Sequence, residues 1–377
     1  MNHRIINRYL IREIAGIFAL GLTIFTLVLL MGRMVKLMEM VVSNGVPAAQ
    51  VLLLIVQLLP SFLVLTIPMA LLLAVLLAVG RLSGDNEIIV LQASGVSLSS
   101  LLPPVMLMSL LAALATLVIS VYGVPWGNSG FRQLTVDIAR KYAASAVQER
   151  VFRDDLPGVV LYVEHFDEAQ HTMQQVMIQD SRDQQRPLTI FARSGMLLSD
   201  DGAGALRIIL RDGSIHTRQQ DDYRLATFSD YHLTVNTGRA ASAAFKARDL
   251  AVRELLQQSA AATTPPEERA RLLLELHRRF AFPGAAVVFG LVALPLGLHN
   301  RRSGKGAGFT VSILVLLVYY VLQSFLEVVA EKGVLAPALA AWLPNMLFLG
   351  VGLALFRAAL QERPLLRLFP LAGRGTQ

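Results

Sequence analysis

"VLLLIVQLLPSFLVLTIPMALLLAVLLAVG", residues 51–80, contains no Asp, Glu, Lys or Arg. A bilayer's hydrocarbon core is about 30 Å thick and takes roughly 20 helical residues to cross. The run is therefore a membrane helix with length to spare, and Pro60 and Pro68 inside it predict a tilt or a kink. Five further runs are apolar enough and long enough to span, at 14–38, 101–123, 279–299, 308–330 and 338–359, though only 101–123 among them is free of charge. Pro283 and Pro295 lie in the fourth helix of the series and Pro344 in the sixth. Bulk composition agrees: 54% of residues are hydrophobic and 16% charged, where a soluble chain carries about 25% charged residues. The first run follows a basic tail, "MNHRIINRYLIRE", with no small-residue cleavage site after it, so it reads as a retained helix. The absence of cysteine excludes disulfides, thiol catalysis and Cys-ligated metal centres.

Charge is unevenly placed. Residues 124–277 hold 18 Lys/Arg and 20 Asp/Glu, and the remaining chain holds 16 and 7, which accounts for the net +7. The basic excess thus belongs to the membrane part, where it reads as a topology signal and not as nucleic-acid binding. With both termini on the cytoplasmic side, the inner flanks hold Arg4, Arg8, Arg12, Arg81, Arg301, Arg302, Lys305, Arg357, Arg363, Arg367 and Arg374. The short outer flanks hold Arg33, Lys36 and Lys332, with Arg278 and Arg279 at the edge of the insert. That asymmetry puts residues 124–277 outside the cytoplasm.

The insert reads as all-β. "VVLYVEHF", "QQVMIQD", "LTIFARSGMLL", "ALRIILRDGSIHTR" and "YRLATFSDYHLTV" are short, partly alternating and rich in β-formers, with turn signals such as "DDGAG" between them. Regular short strands without intervening helices predict a β-sandwich or jelly roll. An amphipathic helix, "FRQLTVDIARKYAASAVQER", precedes the strands. "TTPPEERARLLLELHRRF" follows them as a helix that continues into the fourth span, with Thr264 as expected N-cap and Pro265 at its first position. The domains are therefore 1–123, with membrane helices one to three; 124–277, the inserted β-domain with flanking helices; and 278–377, with helices four to six and a short tail.

Few stretches carry chemistry. "RRSGKGAGF" (301–309) lacks the Gly and the Ser/Thr that a phosphate loop needs around its Gly-Lys pair, because His299 and Gly306 stand there. The seven histidines show no i, i+4 metal spacing. "GRLSGDNEIIVLQASGVSLSS" (80–100) predicts a short cytoplasmic helix at about 84–95, capped by Ser83 or Asp85 and ended by Gly95. It is too short to cross a membrane, so it lies at the interface or docks into another protein. Glu87 falls in its first turn, where the helix dipole favours a carboxylate.

Arg33 follows Arg12 by 21 residues, or about 31 Å of helix, which carries Arg33 and Lys36 to the outer boundary. Their i, i+3 spacing sets them on neighbouring points of one face. Two readings stand: snorkelling cations, or an anion site in which Arg supplies a fork of donors and Lys a point charge. Met34, Val35, Leu37 and Met38 around them suit acyl chains, so the ligand of the second reading is an amphiphile with a phosphorylated head. Gln323, Ser324, Glu327, Glu331 and Lys332 mark the outer end of the fifth helix, either as local hydrogen bonding or as cavity-facing groups.

Taken in order, "RYLIREI" (8–14), "GRLSGDNEIIVLQASGVS" (80–97) and "ALPLGLHNRRSGKGAGF" (293–309), together with the three-plus-three layout around a β-domain, resemble the lipopolysaccharide export permease family of the LptF/LptG type. The resemblance spans nearly the whole chain. It implies an inner-membrane, non-catalytic permease subunit of an ABC transporter. Such a subunit pairs with a homologous six-helix permease, binds a cytoplasmic ATPase dimer, and passes lipopolysaccharide to a periplasmic bridge of β-jelly-roll proteins. It implies no cofactor in this chain, since ATP belongs to the ATPase partner. Glu87 matches the family's coupling-helix glutamate, and Arg33 and Lys36 match its lipid-phosphate cations. The F-type order is Lys then Arg, and here it is reversed. The three-residue spacing leans toward F-type, because the G-type spreads its lysines further. Alternatives are a permease for another lipid or a lipoprotein, and a receptor with a periplasmic sensor domain; for the receptor the tail 360–377 is too short to be an output domain.

Overall fold

The computed structural model describes residues 3–44, 46–146, 150–156, 158–167, 172–182, 188–200, 205–219, 222–236, 247–299 and 304–361. The chain folds as two compact units. Met1–Met38, Val51–Phe131 and Ala247–Gln377 form the first, and Glu39–Gln50 and Arg132–Lys246 the second.

The membrane unit is helical because hydrocarbon offers backbone N–H and C=O groups no partner except each other. Its helices are α1 (His3–Asn44), α2 (Ala48–Gly84), α3 (Glu87–Ala93), α4 (Leu102–Val118) and α5 (Val124–Ala146), then α6 (Val252–Ala260), α7 (Pro266–His299), α8 (Gly304–Glu331) and α9 (Pro337–Leu360). Among the described residues six helical spans are long and apolar enough to cross a membrane. The third is continuous over Leu98–Thr135, because a π-helical segment at Ile119–Gly123 joins α4 to α5. The insert's last helix and the fourth span form one rod, as expected, but its start differs. Helix α7 begins at Pro266, and the Thr264 hydroxyl donates to the Gln258 carbonyl (2.7 Å) instead of capping α7.

Helices α2 and α7 are the buried centre, and much of α1, α4 and α8 is exposed apolar surface. Close backbone approach explains the centre, since small residues at the contacts let helices touch without a side chain between them. A Cβ on Gly290 of α7 would fall 1.9 Å from the Ser109 hydroxyl of α4, and one on Gly297 would fall 2.9 Å from Val79 Cβ of α2. Gly127 and Gly130 of α5 close on Gln57 of α2 in the same way, with a Gly127 Cβ 2.2 Å from the Gln57 carbonyl oxygen. Polar side chains fasten the outer layer. The buried Tyr319 hydroxyl donates to Asn345 Oδ1 (2.8 Å), and Asn345 Nδ2 donates to the Ala281 carbonyl (2.8 Å), joining α8, α9 and α7.

The second unit carries the expected all-β insert. Its strands are β1 (Arg153–Leu156), β2 (Val159–Asp167), β3 (Thr172–Asp180), β4 (Leu188–Asp200), β5 (Ala205–Gln219) and β6 (Asp222–Asn236). They form one antiparallel sheet in sequential order, so the described strands make a meander without crossovers. A sandwich-like core arises because that sheet is creased. Pairing lapses at a single residue on each of five strands, namely Glu164, Gln175, Arg193, Asp212 and Ser229. Gln175 (φ 53°) and Asp212 (φ 51°) adopt the left-handed conformation there. Core-facing positions consequently step by three instead of two: Val163 to Phe166, Val176 to Met173, Ala192 to Gly195 and Phe228 to Tyr231. Both halves therefore turn their apolar residues, Val159, Leu161, Ile178 and Ile190 on one side and Ile208, Leu210 and Leu233 on the other, into a single core.

At the β2–β3 end of this sheet, the buried Asp180 carboxylate accepts from Arg182 Nη2 (2.5 Å) and Nε (2.9 Å). These hydrogen bonds hold the Asp180 pKa below its usual value of 3.8. A depressed carboxylate pKa contributes stability above the unfolded-state value, and that stability is lost as pH falls through the folded one.

Two outcomes follow from these contacts. Gly290→Leu forces α4 and α7 apart and lowers the thermal midpoint in detergent by at least the equivalent of about 1–3 kcal/mol, whereas Gly16→Ala, with no atom within 4 Å of its Cβ, leaves it in place. The protection factors of the β2–β3 amides, read by hydrogen exchange in the whole protein against the intrinsic rate at each pH, fall below pH ~4 as Asp180 protonates, and Asp180→Asn removes that fall.

Candidate functional site

Helix α3 has seven residues, too few to hold a helix by itself. The surroundings hold it. Gly95, at φ 82°, ends it: the Gly95 N–H donates to the Gln92 carbonyl (2.9 Å) and the Val96 N–H to the Leu91 carbonyl (3.0 Å), the paired bonds of a Schellman stop. Its start departs from expectation. Neither Ser83 nor Asp85 caps it. Asn86 stands at the cap position in the left-handed region (φ 61°) without a side-chain cap bond, and the buried Ser83 hydroxyl instead donates to the Leu298 carbonyl at the end of α7 (2.9 Å). Ile88 is 1% exposed and joins Leu10, Ile14 and Leu82 in the main core. The opposite face is open, with Ile89 and Val90 exposed at 42% and 64%. Apolar residues held outward on a rigid turn suit either the membrane interface or a protein groove.

Glu87 sits at the root of this face and is already engaged. The Tyr9 hydroxyl donates to Glu87 Oε2 (3.1 Å) and lies 3.4 Å from Oε1. Arg81 Nη2 donates to the Tyr9 hydroxyl oxygen (3.1 Å), and Arg81 Nη1 pairs with Glu13 (3.0 Å) one turn along α1. Sequence reading singled out Glu87, Tyr9 and Arg81 only as parts of separate motifs. Their meeting bridges 78 residues of chain, a separation that no local pattern reports.

Arg33 lies on the same helix as Tyr9, 24 residues further on, which is about 36 Å of rise. Its side chain is exposed and has no ion-pair partner among the described residues. Lys36 belongs to α1 by its backbone, and its side chain lies outside the described residues.

A third group gathers where α7 and α8 meet the chain returning from the insert. Glu275 pairs with Arg279 (3.6 Å), Arg278 (3.9 Å) and Arg248 (3.9 Å). Glu327 pairs with Arg278 (3.5 Å) and accepts from Gln323 Nε2 (2.9 Å). Arg279 is 1% exposed and donates Nη2 to the Arg248 carbonyl (3.0 Å). The charge of Arg278, with burial, lowers the pKa of Arg248, against the pull of Glu275. The expected Gln323–Glu327 group is thus part of an ionic clasp, while Glu331 and Lys332 are exposed beside it. The i, i+3 and i, i+4 spacing of Glu275 with Arg278 and Arg279 is a local signal that could have pointed to the clasp, and Arg248 carries no such signal.

In the β-domain, a cavity of about 790 Å³ follows the crease, lined by Phe152, Tyr162, Met177, Phe191 and Arg193 among others. No group of three His, Asp or Glu able to hold a metal occurs among the described residues.

Six candidate membrane spans among the described residues, an inserted β-domain, and a short helix with an outward apolar face define a multi-pass membrane protein. Comparison with known proteins carries this further. The model of the family "Lipopolysaccharide export system permease LptF/LptG" matches residues 8–358. The lipopolysaccharide export system permease protein LptF of Escherichia coli (strain K12) is 25% identical over 355 residues, 93% of this chain and 94% of that protein. The LptF of Shigella flexneri gives the same figures. An uncharacterized protein of Rickettsia prowazekii is 21% identical over 332 residues, 85% of this chain and 90% of its own. The chain belongs to the LptF/LptG family of lipopolysaccharide export system permeases. It is a transmembrane transport subunit of the inner membrane and not a catalyst.

The clasp yields a stability outcome. Glu275→Gln leaves the buried Arg279 without its carboxylate and lowers stability by about 3 kcal/mol, read as a fall in the detergent thermal midpoint. The equivalent change at the exposed Glu331 moves it by less than about 0.5 kcal/mol.

Proposed function

We propose that this chain is the F-type half of a paired permease that lifts lipopolysaccharide out of the inner membrane and delivers it to a periplasmic β-jelly-roll bridge, with the energy coming from a separate cytoplasmic ATPase dimer. The observation that carries the reading is the α3 face: Ile89 and Val90 point outward beside Glu87, at the end of the unit that also bears Arg4, Arg8, Arg12 and Arg81. An apolar ridge with one carboxylate fits a partner groove with a cation at its mouth. The basic flanks support cytoplasmic termini and a periplasmic β-domain. The exposed apolar faces of α1 and α8 support a second permease and lipid as their neighbours.

At the other end of α1, Arg33 and Lys36 receive the lipid's phosphates. Exposed, and without an ion-pair partner among the described residues, Arg33 has donors to offer an anion. ATP-driven closure of the ATPase draws the coupling helices together, the cavity between the two permeases narrows, and the lipid moves on to the β-domain. No step requires a cofactor in this chain. F-type assignment rests on the LptF relatives and on the three-residue spacing of the two cations.

Two measurements test the reading. Glu87→Ala gives a folded permease from which the ATPase dissociates during purification and which no longer exports lipid; normal association and export would remove Glu87 from the coupling role. Arg33→Gln with Lys36→Gln weakens lipopolysaccharide retention in native mass spectrometry by about tenfold, as expected for losing two charge-assisted contacts. Unchanged retention would leave only the snorkelling role for these cations.

A further inference from the structure

Glu87 and Arg33 stand at opposite ends of the proposed mechanism, and side-chain contacts at the base of α1 give a physical link between them. The Tyr9 hydroxyl has one proton and gives it to Glu87, while its oxygen accepts from Arg81. Arg81 spends its other terminal nitrogen on Glu13, four residues beyond Tyr9 on the same face of α1. One guanidinium at the end of α2 therefore grips two successive turns of α1, and α1 grips the first residue of α3. Beneath these polar contacts, Ile88 of α3 shares the core with Leu10 and Ile14 of α1, each 1% exposed or less. The cap position of α3 contributes no side-chain bond, so Tyr9 is the described group that orients the Glu87 carboxylate.

We propose that Tyr9 is a positioning residue. Through its hydroxyl it latches the coupling helix to the base of α1, so that displacement of α3 is delivered along α1 to the lipid-facing cations about 36 Å away. The proposal rests on the coupling role of Glu87 given above. Helix α1 suits the task. It is unbroken from His3 to Asn44, contains no proline, and much of its surface is free of the remaining bundle. It can therefore tilt as a rod while α2 and α7 stay packed. Loss of the Tyr9 hydroxyl leaves Glu87 able to bind a cation from the partner but weakens the hold of α3 on α1 to the apolar contact of Ile88 with Leu10 and Ile14.

The test is Tyr9→Phe in the complete complex with its ATPase, reconstituted with lipopolysaccharide in proteoliposomes, scoring lipid transferred per ATP hydrolysed. The ratio falls about fivefold, the worth of one hydrogen bond, while ATPase association and the thermal midpoint stay at wild-type values. Arg81→Met, which removes the donor that holds Tyr9, lowers the ratio in the same way. A wild-type ratio in both Tyr9→Phe and Arg81→Met overturns the latch, as does a loss of transfer matched by an equal loss of ATPase association. If Glu87→Ala itself leaves association and transfer intact, the coupling reading fails first, and that result is distinguishable because it needs no change at Tyr9.

Discussion

A backbone N–H or C=O inside hydrocarbon has no water to bind, and each must be paired within its own segment. That constraint sets the helical form of the membrane unit. It leaves the helices needing another way to hold together, because lipid is as apolar as leucine and offers no hydrophobic drive between them. Close contact supplies it. Gly290 against Ser109 and Gly297 against Val79 bring α7 onto α4 and α2 at distances where any side chain would collide. The Tyr319–Asn345–Ala281 bonds then fix α8 and α9 to that centre. What remains at the edge, α1 above all, buries less of its surface in the bundle.

Function in this family member follows from that division of labour. The rigid pair α2 and α7 ends at a common point, where Ser83 reaches the Leu298 carbonyl, and α3 hangs from it by a Schellman stop and a buried isoleucine. At the far end, the ionic clasp around Glu275 ties the returning chain at Arg248 to α7, and Glu327 extends it to α8. Buried ion pairs add little net stability, but removing one partner is expensive. The clasp thus acts as a fastener, holding one geometry at the place where the chain comes back from the β-domain.

Much of this was legible in the chain. The membrane spans stand out because a charge-free run near bilayer length has few other uses, and the inserted β-domain stands out because its charge balance and alternation differ from both flanks. The short helix that carries Glu87 was readable from its length and its Gly95 stop. The cap was misread: Ser83 and Asp85 fit the local rule, but the Ser83 hydroxyl was taken by a carbonyl 215 residues away. Tyr9–Glu87 and Arg248–Glu275 escaped for the same reason, since each joins segments far apart in sequence. The crease left a trace that was passed over. In "VVLYVEHF" the core positions run Val159, Leu161, Val163 and then Phe166, and a step of three in an alternating strand marks a local break in the pleat, here without a change of register. The same step repeats in step with its neighbours, so one irregularity per strand bends the whole sheet.

Position 33 gives the most direct test of the central claim, that this permease holds lipid phosphate at the outer end of α1 and releases it when its ATPase acts. A photocrosslinking amino acid at position 33, in the intact complex with lipopolysaccharide, should give a strong crosslink to the lipid without ATP. Hydrolysis should lower that crosslink severalfold as the lipid leaves. A crosslink that is absent before ATP, or equally strong throughout turnover, would contradict the account.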